Sequence, residues 1–580
     1  MSINWVRWKG DDRIVFSLSE KIIDPVTLQP APGTTRILSV GVNGGRAVQM
    51  FAGEEYRFAV AAVPVNLIDL LPNDPTHVLL GTWGQRGFTL YRADINTGRV
   101  QAVEDAEFST NDFIVDINGS PIIRQDVLPH GSGIRIYRRA SGDHNWTLAY
   151  EVRRSGQVGQ NRDFFPITAG PQPSTVYVAA RATGQEYQAI YLYNTATGEL
   201  GQPIFQAPDA DAQIAWIDTQ TRQFLIGCAD RQRQDCHAAD PQMQHHFDSL
   251  NAYFHGEADI SLVGTSGSLW MLYADGPTLP PTYYVYDTES AQISLLGSAY
   301  PHISRQSLSP TNIVQYTGHD GTRLWGYLTG QTEGGPHPLV VFPHGGPEAR
   351  DEFGYDFFAQ FLASRGYLVF QPNFRGSEGS GRAFASAGHH QWGRAMQDDI
   401  TDGVRRLVHA GIADAHKVCI VGGSYGGYAV LAGLSLTPDV YACGVSISGV
   451  SDLPQMLQWE RSTNDQRTGL YEYFVSLIGD PSTARDELEA VSPARQVAHI
   501  TAPLLLIHGT ADDIVPVEQS QIMNRAMTAA GKSVQYDEIK DEGHIWAEWS
   551  SRDLTHMLSE VDAFLAQHIG PTAPPQTAPH

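Results

Sequence analysis

Residues 422–428 read GGSYGGY, directly after the apolar run VCIV at 418–421 and ahead of a stretch with helical character. A serine between glycines at such a junction sits on a strained strand-to-helix turn. Its hydroxyl is presented at the end of the strand, and Gly422 and Gly426 let strand and helix approach each other. This is the setting of a serine nucleophile. A serine hydroxyl is weak at its own pKa, so a base and an orienting acid must accompany it, in the order serine, acid, histidine for this kind of turn. Both follow in the chain. An apolar run ends in HGTADDIVP, which puts Asp512 on a loop, and the next run leads into KDEGHIW, which puts His544 on the loop after that. Asp512 would orient the imidazole, and His544 Nε2 would take the Ser424 proton and pass it to the leaving group. This chemistry calls for no metal and no organic cofactor.

Spacing alone leaves other candidates. Asp513 adjoins Asp512 and could be the acid, while His508, His389, His390 and Glu542 lie within the same motifs. His508 reads more simply as a strand-end histidine packed beneath the active-site loops, and the pair in GHHQWG as loop residues. The tetrahedral intermediate needs two hydrogen-bond donors. The backbone N–H of Tyr425 would supply one, and the run HGGP at 344–347 would supply the other from Gly346, with Gly345 next in line.

These loops have to be placed by a sheet. After Pro310, apolar runs alternate with helical stretches, the pattern of a mostly parallel, doubly wound α/β sheet. Strands are predicted at residues 338–342, 367–371, 418–421, 444–448, 503–507 and 534–539, with helices at 399–409, 428–436, 517–530 and 553–568. The expected division is a β-propeller over 1–310, an α/β-hydrolase domain over 311–569 and a disordered tail, GPTAPPQTAPH, at the end. The propeller expectation rests on a recurring aromatic strand that ends in a turn: FTLYRADINTG, IRIYRRASG, IYLYNTATG and YYVYDTESA. Their tyrosines at 91, 137, 193 and 286 are spaced 46, 56 and 93 apart, the last close to two periods. A repeat of this length with about four strands is the mark of a propeller blade, and TTRILSVGVNGG fits as an earlier copy, which makes six or seven blades.

Taken together, VVFPHGGPEARD, FLASRGYLVFQPNFRGSEGSGRAF, WGRAMQDDITDGV, GGSYGGYAVLAGL, LLLIHGTADDIVP and DEGH resemble the prolyl oligopeptidase family of serine peptidases, in its acylaminoacyl-peptidase-like branch. The resemblance implies an N-terminal propeller over a hydrolase domain and places nucleophile, acid and base on Ser424, Asp512 and His544. It implies short peptides as substrates; the alternatives are a dipeptidyl peptidase, or an esterase or amidase acting on a small acyl substrate, with a non-catalytic propeller that docks a protein as the least favoured reading. It also implies that the segment GVSDLPQML and the residues after the acid line the pocket before the scissile bond: Val450, Leu453, Met456, Ile514 and Val515, all apolar. Two departures stand out. His344 takes the place where several relatives have a tyrosine oxyanion donor, and Ile514 takes the place of an arginine that holds a substrate carbonyl. Glu54 and Glu55 could grip a free substrate N-terminus, although such a pair more often forms a solvated turn. Relatives with this catalytic half often carry more chain before the propeller.

Composition narrows the partners. Lys and Arg number 39 against 63 Asp and Glu, a formal charge of −24 that repels phosphate backbones and anionic lipid, so neither nucleic acid nor a membrane is expected. A homo-oligomer is compatible with this composition. The opening MSINWVRWKGDD has no secretory pattern, giving a cytoplasmic expectation, or a periplasmic one if a leader has been removed. Four cysteines are too few for a disulfide framework, though Cys228 and Cys236 could pair, and Cys419 and Cys443 read as core thiols. The cluster Cys228, Cys236, His237, His245 and His246 lacks metal-ligand spacing.

Overall fold

The computed structural model describes the chain apart from residues 1, 11, 20–21, 24–29, 32–34, 52–64, 85–86, 129–132, 154–163, 464–469 and 571–580. Glu54, Glu55 and all but the first residue of the tail therefore lie outside the described residues. Six antiparallel sheets of three or four strands run in chain order from Ser2–Lys9 to Gln292–Ser298, one per blade of a β-propeller, and a two-stranded ribbon, Ile22–Ile23 with Pro30–Ala31, projects from the first. The repeated tyrosines explain the period, because Tyr91, Tyr137, Tyr193 and Tyr286 each lie on the third strand of a blade. The turn chemistry repeats as well. Asp94 accepts from the N–H groups of Asn96 and Thr97, and Asn194 accepts from those of Ala196 and Thr197. The side chain thus closes the turn locally, which is why Asp or Asn recurs there.

The double spacing before Tyr286 spans the fifth blade, whose third strand is the short segment Gln234–His237. A helix at Pro241–Tyr253, absent from the strand-only reading, follows it. Its start is nevertheless written in the sequence, since Asp240 accepts from the N–H groups of Gln242 and Met243 and Pro241 occupies the first turn. In this blade Cys228 and Cys236 face each other across two strands and form a disulfide, and His246 on the helix bonds the Tyr286 hydroxyl at 2.9 Å.

The second half holds one eight-stranded sheet. Its strands in chain order are β1 (Thr311–Thr317), β2 (Arg323–Thr329), β3 (His337–Val341), β4 (Leu368–Asn373), β5 (Ala413–Gly423), β6 (Cys443–Ile447), β7 (Leu504–Gly509) and β8 (Val534–Ile539). The spatial order is β1-β2-β4-β3-β5-β6-β7-β8, antiparallel up to β4 and parallel from there on. Alternation along each strand sends Leu339, Val341, Ile420 and Leu506 into one apolar layer and Val340, Val421, Val445 and Leu505 into the other. Both faces are covered, which accounts for the unbroken apolar runs. Cys419 and Cys443 correct the expectation of separate core thiols: they are register partners on β5 and β6, with Cα atoms 4.7 Å apart, and are joined as a disulfide.

The halves meet through loops that leave the C-terminal ends of β3 and β4. Arg350 donates to the carbonyls of Asp230 and Arg231, the Asp211 N–H donates to the Gly379 carbonyl, and Glu186 accepts from the N–H of Ala383. On the other side of the junction, Gln360 donates to the carbonyls of Pro277 and Ser309. No helix among the described residues is long and apolar enough to cross a membrane.

Candidate active site

Parallel strands deliver their C-terminal ends to one edge, where the crossover loops gather. Ser424 follows β5 with φ 57° and ψ −121°, a strained setting of order 1–3 kcal/mol for a residue with a side chain. Backbone bonds hold it: Ser424 N–H donates to the Ile447 carbonyl, and the Ser424 carbonyl accepts from Tyr428 N–H, both at 3.0 Å. Glycine is required on each side. A Cβ on Gly422 would lie 2.6 Å from the Gly426 backbone, and one on Gly426 would run into the Pro343 carbonyl.

Asp512 stands on the loop after β7 with its side chain fully buried. Its Oδ1 accepts from the N–H groups of Ile514 and Val515 at 2.9 and 2.8 Å, and its Oδ2 lies 2.7 Å from His544 Nδ1. Burial by itself would raise its pKa. Hydrogen bonds from His508 and His544, the imidazole charge and the Val515 N–H outweigh that and hold the carboxyl well below the usual range. With Nδ1 on the carboxylate, the tautomer that donates from Nδ1 presents Nε2 as an acceptor. Asp513, by contrast, is exposed. His508 is fully buried, with Nδ1 at 2.7 Å from the Ser520 hydroxyl and Nε2 at 2.9 Å from the Val515 carbonyl and 3.3 Å from Asp512 Oδ2, so it steadies the acid from below. Glu542 bonds the Ser550 N–H, and His389 lies 3.4 Å from Glu348.

The histidine loop is seated on the serine turn by a residue that the sequence reading passed over. The ring of Trp546 lies where a Cβ on Gly423 would be, 2.5 Å away, and stacks against Phe358 at 5.6 Å and 19°. Trp549 secures the same loop by donating to the Gly543 carbonyl.

The HGGP run follows β3 and packs against Ser424: a Cβ on Gly345 would meet the Ser424 Cβ at 3.5 Å. His344 Nδ1 lies 2.8 Å from the Gly345 carbonyl oxygen, and its Nε2 lies 2.8 Å from the Ser377 hydroxyl. Burial pushes its pKa down to about 4, so it is neutral near pH 7, donating through Nδ1 and accepting at Nε2. Ser377 was another residue to which sequence gave no role. Gly346 has φ 115°, open to glycine alone, and in the trans peptide its N–H points to the side opposite the clamped carbonyl. Tyr425 opens the helix Tyr425–Leu436, so its N–H has no acceptor within that helix. Of the residues expected to line the substrate pocket, Val450, Leu453, Met456 and Val515 belong to the buried apolar cluster that also holds Tyr425, while Ile514 is 43% exposed.

A profile of the prolyl oligopeptidase family matches residues 353–572. Dipeptidyl aminopeptidase BIII of Pseudoxanthomonas mexicana is 29% identical over 518 residues, 87% of this chain and 73% of that protein. The acylamino-acid-releasing enzyme of Sus scrofa is 26% identical over 427 residues, 68% of this chain and 53% of the relative. Among solved structures, a Mycobacterium tuberculosis puromycin-hydrolyzing peptidase superposes with a TM-score of 0.67 at 18% identity, covering 98% of this chain and 94% of that one.

Proposed function

Because the chain belongs to the prolyl oligopeptidase family of serine peptidases, we propose that it hydrolyses short peptides through an acyl-enzyme formed on Ser424. The single observation that carries this reading is the 2.7 Å bond between Asp512 and His544 on the sheet edge where the serine turn emerges. Ser424 Oγ attacks the scissile carbonyl while its proton passes to His544 Nε2. The oxyanion that forms is met by the N–H groups of Tyr425 and Gly346. Collapse breaks the C–N bond, and the His544 proton leaves with the amine. A water then repeats the sequence on the ester, releasing the carboxylate and restoring the serine.

One feature supports short substrates, and a second bears on the residue before the scissile bond. The loops after β3 and β4 that flank the site are themselves docked on the propeller, which therefore stands over this edge and limits access. Of the residues assigned to the pocket, Val450, Leu453, Met456 and Val515 are closed into the core and can only back it, while Ile514 is its exposed apolar member; no carboxylate stands among them to pair with a basic side chain, whose unpaired burial would cost several kcal/mol. Apolar residues before the scissile bond are favoured accordingly. Likeness to a dipeptidyl aminopeptidase over most of the chain makes exopeptidase action on free N-termini the second reading.

The test is a set of chromogenic peptides, N-acetylated and free, with Phe, Leu, Ala, Pro, Lys or Glu before the reporter. Phe and Leu should lead and acetylated peptides should be cleaved. Lys outrunning both would overturn the pocket assignment, and a strict demand for a free amine two residues from the bond would make the protein a dipeptidyl peptidase.

A further inference from the structure

A cavity of about 750 Å³ lies between the fifth blade and strands β1 and β2, within the size range of ligand sites. Its wall carries three arginines, Arg231, Arg233 and Arg323, against two aspartates, on a chain whose formal charge is −24. That local balance differs from the charge of the chain as a whole. Two of the guanidiniums are already engaged. Arg231 pairs with Asp209 and Asp235 at 2.6 Å, and Arg233 donates to the Gly256 carbonyl and lies over the Phe353 ring at 3.9 Å. Arg323 is different: it is exposed, and its guanidinium has no ion-pair or hydrogen-bond partner among the described residues. Its neighbours on the wall include Trp325, Ile313 and the hydroxyl residue Ser380.

We infer that this cavity binds the C-terminal carboxylate of a short peptide on Arg323. One free guanidinium matches one monoanionic carboxylate, which it can hold with two parallel hydrogen bonds. The paired aspartates make the remaining wall close to neutral, which disfavours a dianion such as phosphate. Ile313, half-buried on the wall, offers apolar surface to a side chain. The loop that contributes Ser380 also contributes Ser377, the partner of His344 beside the nucleophile, so the cavity is one loop away from the proposed catalytic centre. The inference rests on the peptidase reading for its choice of ligand, since peptide hydrolysis releases a new carboxylate on the acyl fragment.

Binding can be measured apart from turnover on the Ser424→Ala protein, using N-acetyl-alanyl-alanine and its C-terminal amide as probes. The acid should bind at least about tenfold more tightly than the amide, with a preference that shrinks as salt rises. Adding Arg323→Ala should erase the preference by weakening the acid alone, and Arg323→Lys should keep part of it. With Ser424 present, Arg323→Ala should leave hydrolysis of an amidated chromogenic peptide unchanged. Equal affinity for acid and amide, a preference that survives Arg323→Ala, or tighter binding of inorganic phosphate than of the peptide acid would each overturn the site. Failure of the wild-type protein to cleave peptides, with the acid preference intact, would instead overturn the peptidase reading and leave the site standing.

Discussion

His344 holds the carbonyl oxygen of Gly345 at 2.8 Å, and since a trans peptide sets C=O and N–H on opposite sides, this one contact aims the Gly346 N–H away from the imidazole. The nitrogen that faces Ser377 accepts, so neither ring nitrogen is free to act on substrate. On the proposed mechanism His344 is a positioning residue: it would fix the Gly346 donor by gripping the far end of the donor's own peptide.

His344→Ala should therefore lower kcat while leaving KM nearly unchanged, because the oxyanion is bound in the transition state and hardly in the ground state. Loss of about tenfold to a hundredfold is expected, short of the ~10²–10³ seen when an oxyanion donor is removed outright. Steady-state kinetics on one chromogenic peptide decide it. A rise in KM alone would assign His344 to substrate binding.

The acid can be separated from its neighbour. Asp512→Asn should reduce kcat by about 10⁴ through loss of the correct imidazole tautomer, and Asp513→Asn should be close to wild type because that side chain is exposed. An inactive Asp513→Asn beside an active Asp512→Asn would reverse the assignment.

Gly423 and Trp546 make a coupled pair. Gly423→Ala places a methyl group where the indole ring lies, so the histidine loop has to lift, and a displacement of about 1 Å there should cost on the order of 10²-fold in kcat/KM. Trp546→Ala in the same chain removes the obstruction. The double variant should recover part of the activity lost by Gly423→Ala, and strictly multiplicative losses would show that the two residues act apart.

Stability should fall on the alkaline side through a cluster where the sixth blade meets the hydrolase domain. Burial, with the charges of Asp275 and Glu352 adding to it, raises Asp259 from the usual carboxylate range to about 7. A group whose folded pKa lies above its unfolded one favours the folded state below the unfolded value, and that advantage is lost as pH rises from about 4 through 7. Asp259→Asn should accordingly be more stable than wild type at pH 8, by on the order of 2–4 kcal/mol, and show little or no gain at pH 4. Thermal melts of both proteins across this range provide the check, and a gain that is the same at both pH values would discount the titration.

Much of the site is legible in the sequence because its signals are local or are ordered by the sheet. The serine turn needs glycines at 422 and 426 whatever surrounds it, HGGP needs a residue free to take φ 115°, and parallel strands carry the loops of Ser424, Asp512 and His544 to one edge once the alternation of runs is read. The propeller announces itself in the same way, through an Asx turn that a short side chain closes by itself. Other features depend on what distant segments bring together, and these only the tertiary structure decided. Adjacent Asp512 and Asp513 are identical in type, and burial against His508 and His544 distinguishes them. Cys419 and Cys443 become partners because β5 and β6 pair in that register, 24 residues apart in the chain. Six blades rather than seven, the clamp of His344 on Gly345, the seat of Trp546 over Gly423 and the burial of Val450, Leu453 and Met456 all arise from long-range packing. A local pattern can encode the conformation of its own backbone. Which side chain from elsewhere fills the space beside it is settled only when the layers close.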